Sequence, residues 1–498
     1  MKNDICLSLI DKRLAARLYV IIGNMVEKRS CILRKLSGSW GEEMGIWRFL
    51  KNTRFGWESL RLNCLTQISE KVAGRHVLCI QDSSTISLQA SVNKRKGFGR
   101  MGSTGDHPGI VVHPGLVLDA ANGCCLGISD IQIHDGQMAF PGVSKKSLEH
   151  RKAEAKTKKT GIWLQSGKAS RERLEDASHV THIADREGDF FEMLLEFSQK
   201  KVLNEDFIVR SSKDRQLGHR HKPGHAPYKG QPGIHVATGL EGEQVIVKHR
   251  SLMSELLGKL PVRAITKMKL PATHKRESRM ATFAIRFAPE VPICRPLKIS
   301  GRTYEGERLP GSVRIAVVEV REITEGLTTD QTPVYWRLYT SHAVNSVEDA
   351  LEIVKWYTWR WKIELLFAAT KSNGLNLEHA LIEHADRLKK LAILVLMAAV
   401  QVIQLIQARD GHTDQLITDV FTEEEVLLLK QINPKLEGKT VLQQNPHADH
   451  TLAFAAWVVA RLGSWKGYKT HRPPGIKTMS RGLQVFYQIK EAADFLSG

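Results

Sequence analysis

The sequence predicts an α/β fold, a mixed sheet with flanking helices, extended by helical segments at both ends and interrupted by a β-rich segment. Three patterns predict it. Helical periodicity dominates residues 1 to about 70 and resumes after about 345. Several adjacent strand-like runs, followed by alternating helices and strands, occupy the stretch from 76 onward. Between roughly 205 and 345 the helical period nearly vanishes and short β-type runs replace it.

At the N-terminus, "DKRLAARLYVIIGNMVEK" is amphipathic, and "SWGEEMGIWRFLKN" begins at Ser39 with Glu42 three residues on, a helix-start pattern. The first thirty residues hold only short apolar runs broken by Asp11, Lys12 and Arg13, which is not the pattern of a signal peptide. Trp47, Arg48, Phe49, Lys51 and Arg54 interleave aromatic and basic side chains, as a small DNA-binding module requires. An ordinary helical bundle with surface charge fits the same residues.

From 76 the pattern turns to strands. "HVLCIQD" is a short apolar run ending at Asp82, and "GIVVHPGLVLDAANGCCLGISDIQIH" reads as two or three strands with a turn around "AANG". A basic polar stretch from Lys145 to Ala177 is expected to be helical in part, and "VTHIAD" is a further strand ending at Asp185. The runs "EDFIVRSS", "EQVIVKHR", "RMATFAIRFA", "SVRIAVVEV" and "PVYWRLYTS" then form the β-rich segment, expected as an insertion into a loop of the main domain. Helix returns at "SVEDALEIVKWYTWRWKIELLFAATK" and continues, with polar breaks near 372 and 434 to 450. The run "LAILVLMAAVQVIQLI" from Leu391 is cut by Gln401 and Gln404, falls short of the ~18 clean residues of a membrane span, and reads as a buried helix.

Charge narrows the partner. Lys and Arg number 72 against 53 Asp and Glu, a net charge of +19 and a pI near 9.6, which favours a polyanion through phosphate contacts and counterion release. Nucleic acid leads, with a membrane surface second. Seven scattered cysteines with no C-x-x-C argue against a disulfide framework or a zinc–thiolate site and fit a reducing cytoplasm.

The chemistry-bearing residues follow from position. Asp82 and Asp185 end strands, where α/β sheets place their sites, although strand-end aspartates also act as caps. In "WYTWRWKIELLFAATK", Tyr357, Arg360, Glu364 and Lys371 stand at offsets of zero, three, seven and fourteen, an arc of about 60° on a regular helix. Trp356, Trp359, Trp361, Ile363, Leu366 and Phe367 surround that stripe, so it is expected to line a cleft. Together Asp82, Asp185 and Glu364 could hold two divalent metals for phosphoryl transfer, with Mg²⁺ or Mn²⁺ preferred by oxygen ligands. Arg360, Lys371 and Tyr357 would grip phosphates.

Other patterns carry less. "GFGRMG", Gly97 to Gly102, has the spacing of a dinucleotide loop but follows no strand and opens no helix, so a phosphate-backbone contact suits it better. His379 and His384 stand five apart and share no helix face. "GHRHKPGH", 218 to 225, reads as a flexible basic loop rather than a metal site.

The spacing Y-x2-R-x3-E-x6-K, met by Tyr357, Arg360, Glu364 and Lys371, resembles the signature of the bacterial insertion-sequence transposases of the IS-four group, which includes the Tn-five transposase. "IQDSST" resembles that family's first catalytic aspartate motif, with Ser83 and Ser84 where two threonines are often found, and "ADREGDFFEML" its second. "GSWGEEMGIWRFLKN" resembles its N-terminal DNA-binding segment and "TLAFAAWVVARLGSWKGYKTHRPPGIKTMSRGLQ" its C-terminal helical region.

The resemblance implies a DDE triad of Asp82, Asp185 and Glu364 holding Mg²⁺ or Mn²⁺. It implies an RNase H-like core (71–375) with an inserted β-rich subdomain (about 205–345), an N-terminal helical DNA-binding domain (1–70) and a C-terminal helical dimerisation domain (376–498). It implies cut-and-paste transposition through nicking, hairpin formation and strand transfer by a homodimer on terminal inverted repeats and target DNA, in a bacterial cytoplasm at the nucleoid and without a membrane. By the same resemblance, Trp336 would assist base flipping and Arg210 would contact DNA, although a core role for Trp336 fits its sequence too. A structure-specific nuclease and an inactive transposase-derived DNA-binding protein are the alternatives.

Overall fold

The computed structural model describes residues 12–66, 68–88, 95–101, 107–135, 160–198, 204–219, 233–238, 243–270, 278–299, 302–324, 332–371, 374–411, 415–467 and 473–497. Cys6, most of the basic stretch before residue 160, and all of "GHRHKPGH" after His219 lie outside them. The chain divides into two compact units, Met1–Met138 with Lys168–Ser178 and Trp361–Gly498, and Ala139–Gly167 with His179–Arg360. The boundary expected at residue 70 falls inside the first unit, as does the one at 375.

In the first unit, strands β1 (His76–Gln81), β2 (Ser84–Ser87), β3 (Gly99–Met101), β4 (His107–Asp119) and β5 (Cys125–His134) are built around β4, to which each of the others pairs antiparallel. The apolar run "HVLCI" becomes β1 because both its faces are covered: Leu78, Cys79 and Ile80 are all fully buried. The β4–β5 turn lies where "AANG" predicts it. Asp119 Oδ1 accepts the Ala121 N–H at 2.9 Å, and Gly123 takes the left-handed backbone (φ 74°) that closes the turn. β2 and β3 were not expected; β3 absorbs Gly99–Met101 of "GFGRMG" into the sheet, which removes the dinucleotide-loop geometry.

Helices cover this sheet. Trp40–Lys51 starts as expected, with Ser39 Oγ accepting the Glu42 N–H at 3.3 Å and Glu42 reaching back to the Gly38 N–H at 2.7 Å. Its aromatic and basic residues serve packing in part: Phe49 is buried against Phe55 at 5.2 Å, and Lys51 lies over the Trp47 ring at 4.6 Å.

The organising helix is Ala385–Ala408, packed against the helices Lys12–Lys28, Trp57–Cys64, Lys362–Thr370, Leu452–Leu462 and Ile476–Ser497 and against β5. Its 24 residues are long and apolar enough to cross a membrane, which corrects the expectation that this run is too short. Within the protein 83% of its apolar window is buried, as a core helix requires. Gln404, one of the two interrupting glutamines, has a packing reason that the next glutamine, Gln407, shares. Gln404 donates to the Cys125 carbonyl at 3.2 Å and Gln407 accepts the Cys125 N–H at 2.7 Å, so polar groups stitch the helix to the edge of β5. Leu452–Leu462 and Ile476–Ser497 approach so closely that a Cβ at Gly482 would meet the Val459 carbonyl oxygen at 1.7 Å.

In the second unit, β6 (His179–Ala184) and β7 (Glu205–Arg210) pair in parallel, joined by the helix Phe191–Ser198. The strands that follow in sequence are β8 (Ile234–Ala237), β9 (Gln244–Val247), β10 (Ala264–Leu270), β11 (Arg279–Cys294), β12 (Thr303–Tyr304), β13 (Glu307–Arg308), β14 (Ser312–Glu322) and β15 (Tyr335–Thr340). The sheet order is β6-β7-β15-β14-β11-β10, antiparallel from β7 outward. This is a mixed sheet with flanking helices, so the α/β class stands.

All five β-type runs are strands, and "EDFIVR" is the parallel neighbour of β6. β15, β14, β11 and β10 extend the same sheet, and the β8–β9 and β12–β13 hairpins stand off its path. One short helix, Met253–Lys259, interrupts the β-rich segment. Phe191, Phe197, Phe207, Val317 and Tyr339 form the core under the sheet.

The helix expected to run unbroken through "SVEDALEIVKWYTWRWKIELLFAATK" is two helices, Val347–Thr358 and Lys362–Thr370, joined by a 3₁₀ turn at Trp359–Trp361. A steady 100° per residue therefore does not run through Arg360. Trp361 is 41% exposed rather than buried.

Candidate active site

In the second unit, Asp185 follows the last residue of β6 and caps the turn Arg186–Gly188, its Oδ1 accepting the Glu187 N–H at 2.8 Å. Gly188 is required there, since a Cβ would stand 2.6 Å from that of Ala184. Residues far apart in sequence meet at this end of the sheet. The Arg210 and Tyr357 side chains hydrogen-bond to each other. Arg210 also donates to the Tyr335 carbonyl at 3.3 Å. The Trp336 ring lies 5.3 Å from Tyr357, edge-on, and 6.4 Å from Phe283, stacked.

Charge at this site is predominantly positive. Burial lowers the Arg210 pKa and the nearby Arg186 and Arg360 push it further down, while Tyr357 opposes them. Burial raises the Tyr357 phenol, with Asp185 adding to the rise and Arg360 and Arg210 opposing it. Three guanidiniums beside one strand-end carboxylate form a setting that a phosphate relieves. Tyr357 is 3% exposed, so its direct partner is Arg210.

Behind this end, Asp189 is buried and holds the strand-end turn to the segment after β7. Its Oδ1 accepts from Arg215 Nε at 2.8 Å, and its Oδ2 accepts from the Ser212 N–H at 2.7 Å and the Ser212 hydroxyl at 3.0 Å. Arg215 also donates to the Asp189 carbonyl at 2.8 Å.

In the first unit, Asp82 follows β1 and accepts the Ser83 N–H at 2.8 Å on Oδ1. His113 of β4 grips both neighbours of Asp82, with Nδ1 2.8 Å from Ser83 Oγ and Nε2 3.2 Å from Gln81 Oε1. Lys371, at the end of its helix, donates from Nζ to the Thr85 carbonyl of β2 at 2.9 Å and pairs with Glu378 at 3.4 Å. It therefore sits against the strand that follows Asp82. Glu364 is half-buried in the first turn of Lys362–Thr370, where the helix dipole favours an anion. One residue pair back, Lys362 donates to the Gly123 carbonyl at 2.5 Å, and burial lowers its pKa.

The structure thus gathers Asp185, Arg210, Trp336, Tyr357 and Arg360 in one unit, and sets Asp82, Glu364 and Lys371 in the other. Sequence reasoning missed His113, Arg186 and Asp189. Arg186 was open to notice, being adjacent to Asp185; His113 and Asp189 act through contacts 30 and 26 residues away. No model of a known protein family matches the chain.

His113 carries a pH prediction. Burial, helped by the nearby His134, pulls its pKa down to about 3 from an ordinary 6.5. The unfolded chain takes up this proton first, so stability contributed by the neutral ring is whole above about pH 6.5 and declines as pH falls towards 3, by on the order of 4 kcal/mol. Urea unfolding midpoints measured from pH 7 to 4 should fall less steeply for His113→Gln than for the natural chain. Parallel curves would refute the assignment.

Proposed function

We propose that this protein is a DNA transposase of the DDE type, built on an RNase H-like core, that excises and inserts a mobile element as a homodimer on terminal inverted repeats. The observation that carries the reading is the joint one: Tyr357, Arg360 and Asp185, named from spacing and strand position, converge with Arg210 and Trp336.

Asp82, Asp185 and Glu364 are an all-carboxylate donor set, the hard-oxygen chemistry that suits Mg²⁺ or Mn²⁺, and a backbone N–H orients both aspartates. A divalent ion bound to these residues would supply Lewis-acid stabilisation of the attacking and leaving oxygens in phosphoryl transfer. The remaining work belongs to the chain. Arg210, held by Tyr357, and Arg360 bind a strand phosphate, with Arg186 contributing charge. Lys371 positions the strand near Asp82, and His113 keeps the Asp82 segment from rotating. Trp336, half-buried between Phe283 and Tyr357, offers ring surface to a displaced base. Water attack nicks one strand, the freed 3′ hydroxyl attacks the other to close a hairpin, and the reopened end joins target DNA.

The test is cleavage of DNA bearing the inverted repeats that flank the gene, with Mg²⁺ or Mn²⁺, on a denaturing gel. Hairpins followed by blunt ends and joined products support the proposal. Nicks without joining point to a structure-specific nuclease, and binding without cutting to an inactive derivative. Arg360→Ala should weaken DNA binding and flatten the dependence of log affinity on log salt by about 1, the loss of one phosphate contact. Unchanged cleavage at elevated salt would remove Arg360 from the phosphate-binding set.

A further inference from the structure

At the opposite end of β6 from Asp185, about 20 Å away at strand rise, three side chains of the second unit converge that the proposed reaction does not use. His179 opens β6, Asp206 is the second residue of β7, and His342 follows β15. His179 Nε2 stands 3.1 Å and His342 Nδ1 3.4 Å from the same oxygen, Asp206 Oδ2. A ring nitrogen of each histidine lies within 4.8 Å of the other. We infer that His179, His342 and Asp206 form a binding site for a divalent transition metal of the Zn²⁺ class.

The separations carry the inference. Ligand atoms bonded at ~2.0–2.1 Å to a tetrahedral ion stand about 3.3 Å apart, the distance observed from the carboxylate oxygen to both nitrogens. The supporting contacts are those of a ligand set as well. His342 Nε2 is 2.8 Å from Thr181 Oγ1, so a proton on Nε2 leaves Nδ1 with its lone pair towards the site. Asp206 Oδ1 accepts the Ser341 hydroxyl at 2.6 Å, which turns Oδ2 towards the histidines. The His342 ring is fixed against Trp356 at 5.2 Å. Burial raises the Asp206 pKa, but hydrogen bonds from His179 and Ser341 and the histidine charges outweigh it, so the carboxylate stays ionised, as a ligand must. Side-chain exposures of 26%, 14% and 11% leave solvent access for an incoming ion. Two imidazoles and one carboxylate select Zn²⁺ over Mg²⁺, which separates this site chemically from the aspartate and glutamate set.

The test uses the full chain, stripped with chelator and titrated with Zn²⁺ by calorimetry, and with Co²⁺ as a spectroscopic probe of tetrahedral coordination. One Zn²⁺ per chain is expected, with visible Co²⁺ absorption of a four-coordinate site. His342→Ala and the shape-preserving Asp206→Asn should abolish both signals, and Thr181→Val should weaken Zn²⁺ binding about 10- to 100-fold. Glu364→Gln and Asp185→Asn should leave both intact, so the outcome is independent of the transposase reading. Absence of Zn²⁺ binding, or Zn²⁺ binding unaffected by His342→Ala and Asp206→Asn, would overturn the inference. In the first case the three groups are a charge network alone, and in the second the ion sits elsewhere in the chain.

Discussion

Glu364→Gln is expected to reduce DNA cleavage by at least about 100-fold while leaving binding to terminal repeats nearly unchanged. Removal of one preorganised charge-stabilising group costs a reaction on that scale. Glutamine keeps the length and volume of glutamate, and the site is half-buried in the first turn of a nine-residue helix, so the fold tolerates the exchange. The arginines and lysine proposed to bind strand phosphates are untouched. Gel-shift and cleavage assays on one preparation separate the effects. Normal cutting by Glu364→Gln would remove it from the triad, whereas loss of both cutting and binding would indicate a role in folding or DNA contact.

The largest stability effect is expected at Asp189→Ala, at about 3–5 kcal/mol. Asp189 and Arg215 are a buried pair, and removing the carboxylate leaves the guanidinium in the interior without its partner. The same change strands the Ser212 N–H that Asp189 Oδ2 accepts. A fall on the order of 10 °C in the melting temperature of the transition that includes this unit is the expected readout. The double variant Asp189→Ala/Arg215→Met should recover part of the loss, because it removes the orphaned charge and keeps the volume. A shift of a degree or less in the single variant would show that water replaces the carboxylate and that the pair does not hold the turn after Asp185.

The two changes probe different levels. Glu364 would act on reacting atoms, whereas Asp189 acts on the turn that presents Asp185 and on Ser211 and Ser212 directly after Arg210. Asp189→Asn is the finer instrument for this second role. It retains the volume and one acceptor oxygen, so a drop in cleavage larger than the drop in stability would assign Asp189 to positioning.

By itself the sequence determined the periodic elements and the chemistry on offer. β1, β4, β5, β6 and the five later strands follow from apolar or β-branched runs bounded by turn residues, a local signal that a pleated strand carries in its own composition. The Ser39–Glu42 start of Trp40–Lys51 and the turn at Gly123 were legible for the same local reason. So were Asp82 and Asp185 as strand-end carboxylates, and the Tyr357, Arg360, Glu364 and Lys371 spacing.

Tertiary structure decided the rest. The 3₁₀ turn at Trp359–Trp361 divides the helix on which the four-residue stripe was drawn, a break that periodicity does not register. β7 joins β6 in parallel and carries the β-rich segment into the same sheet, since strand pairing is long-range and leaves no local mark. The Ala385–Ala408 helix is buried as core because helices from both ends of the chain and β5 cover it, and Gln404 and Gln407 find the Cys125 backbone. Arg210 meets Tyr357, His113 grips the flanks of Asp82, and His179 meets His342 and Asp206 across gaps of 27 to 163 residues. Hydrogen bonds and charges act over a few ångströms of space, and only the folded chain sets which residues share that distance.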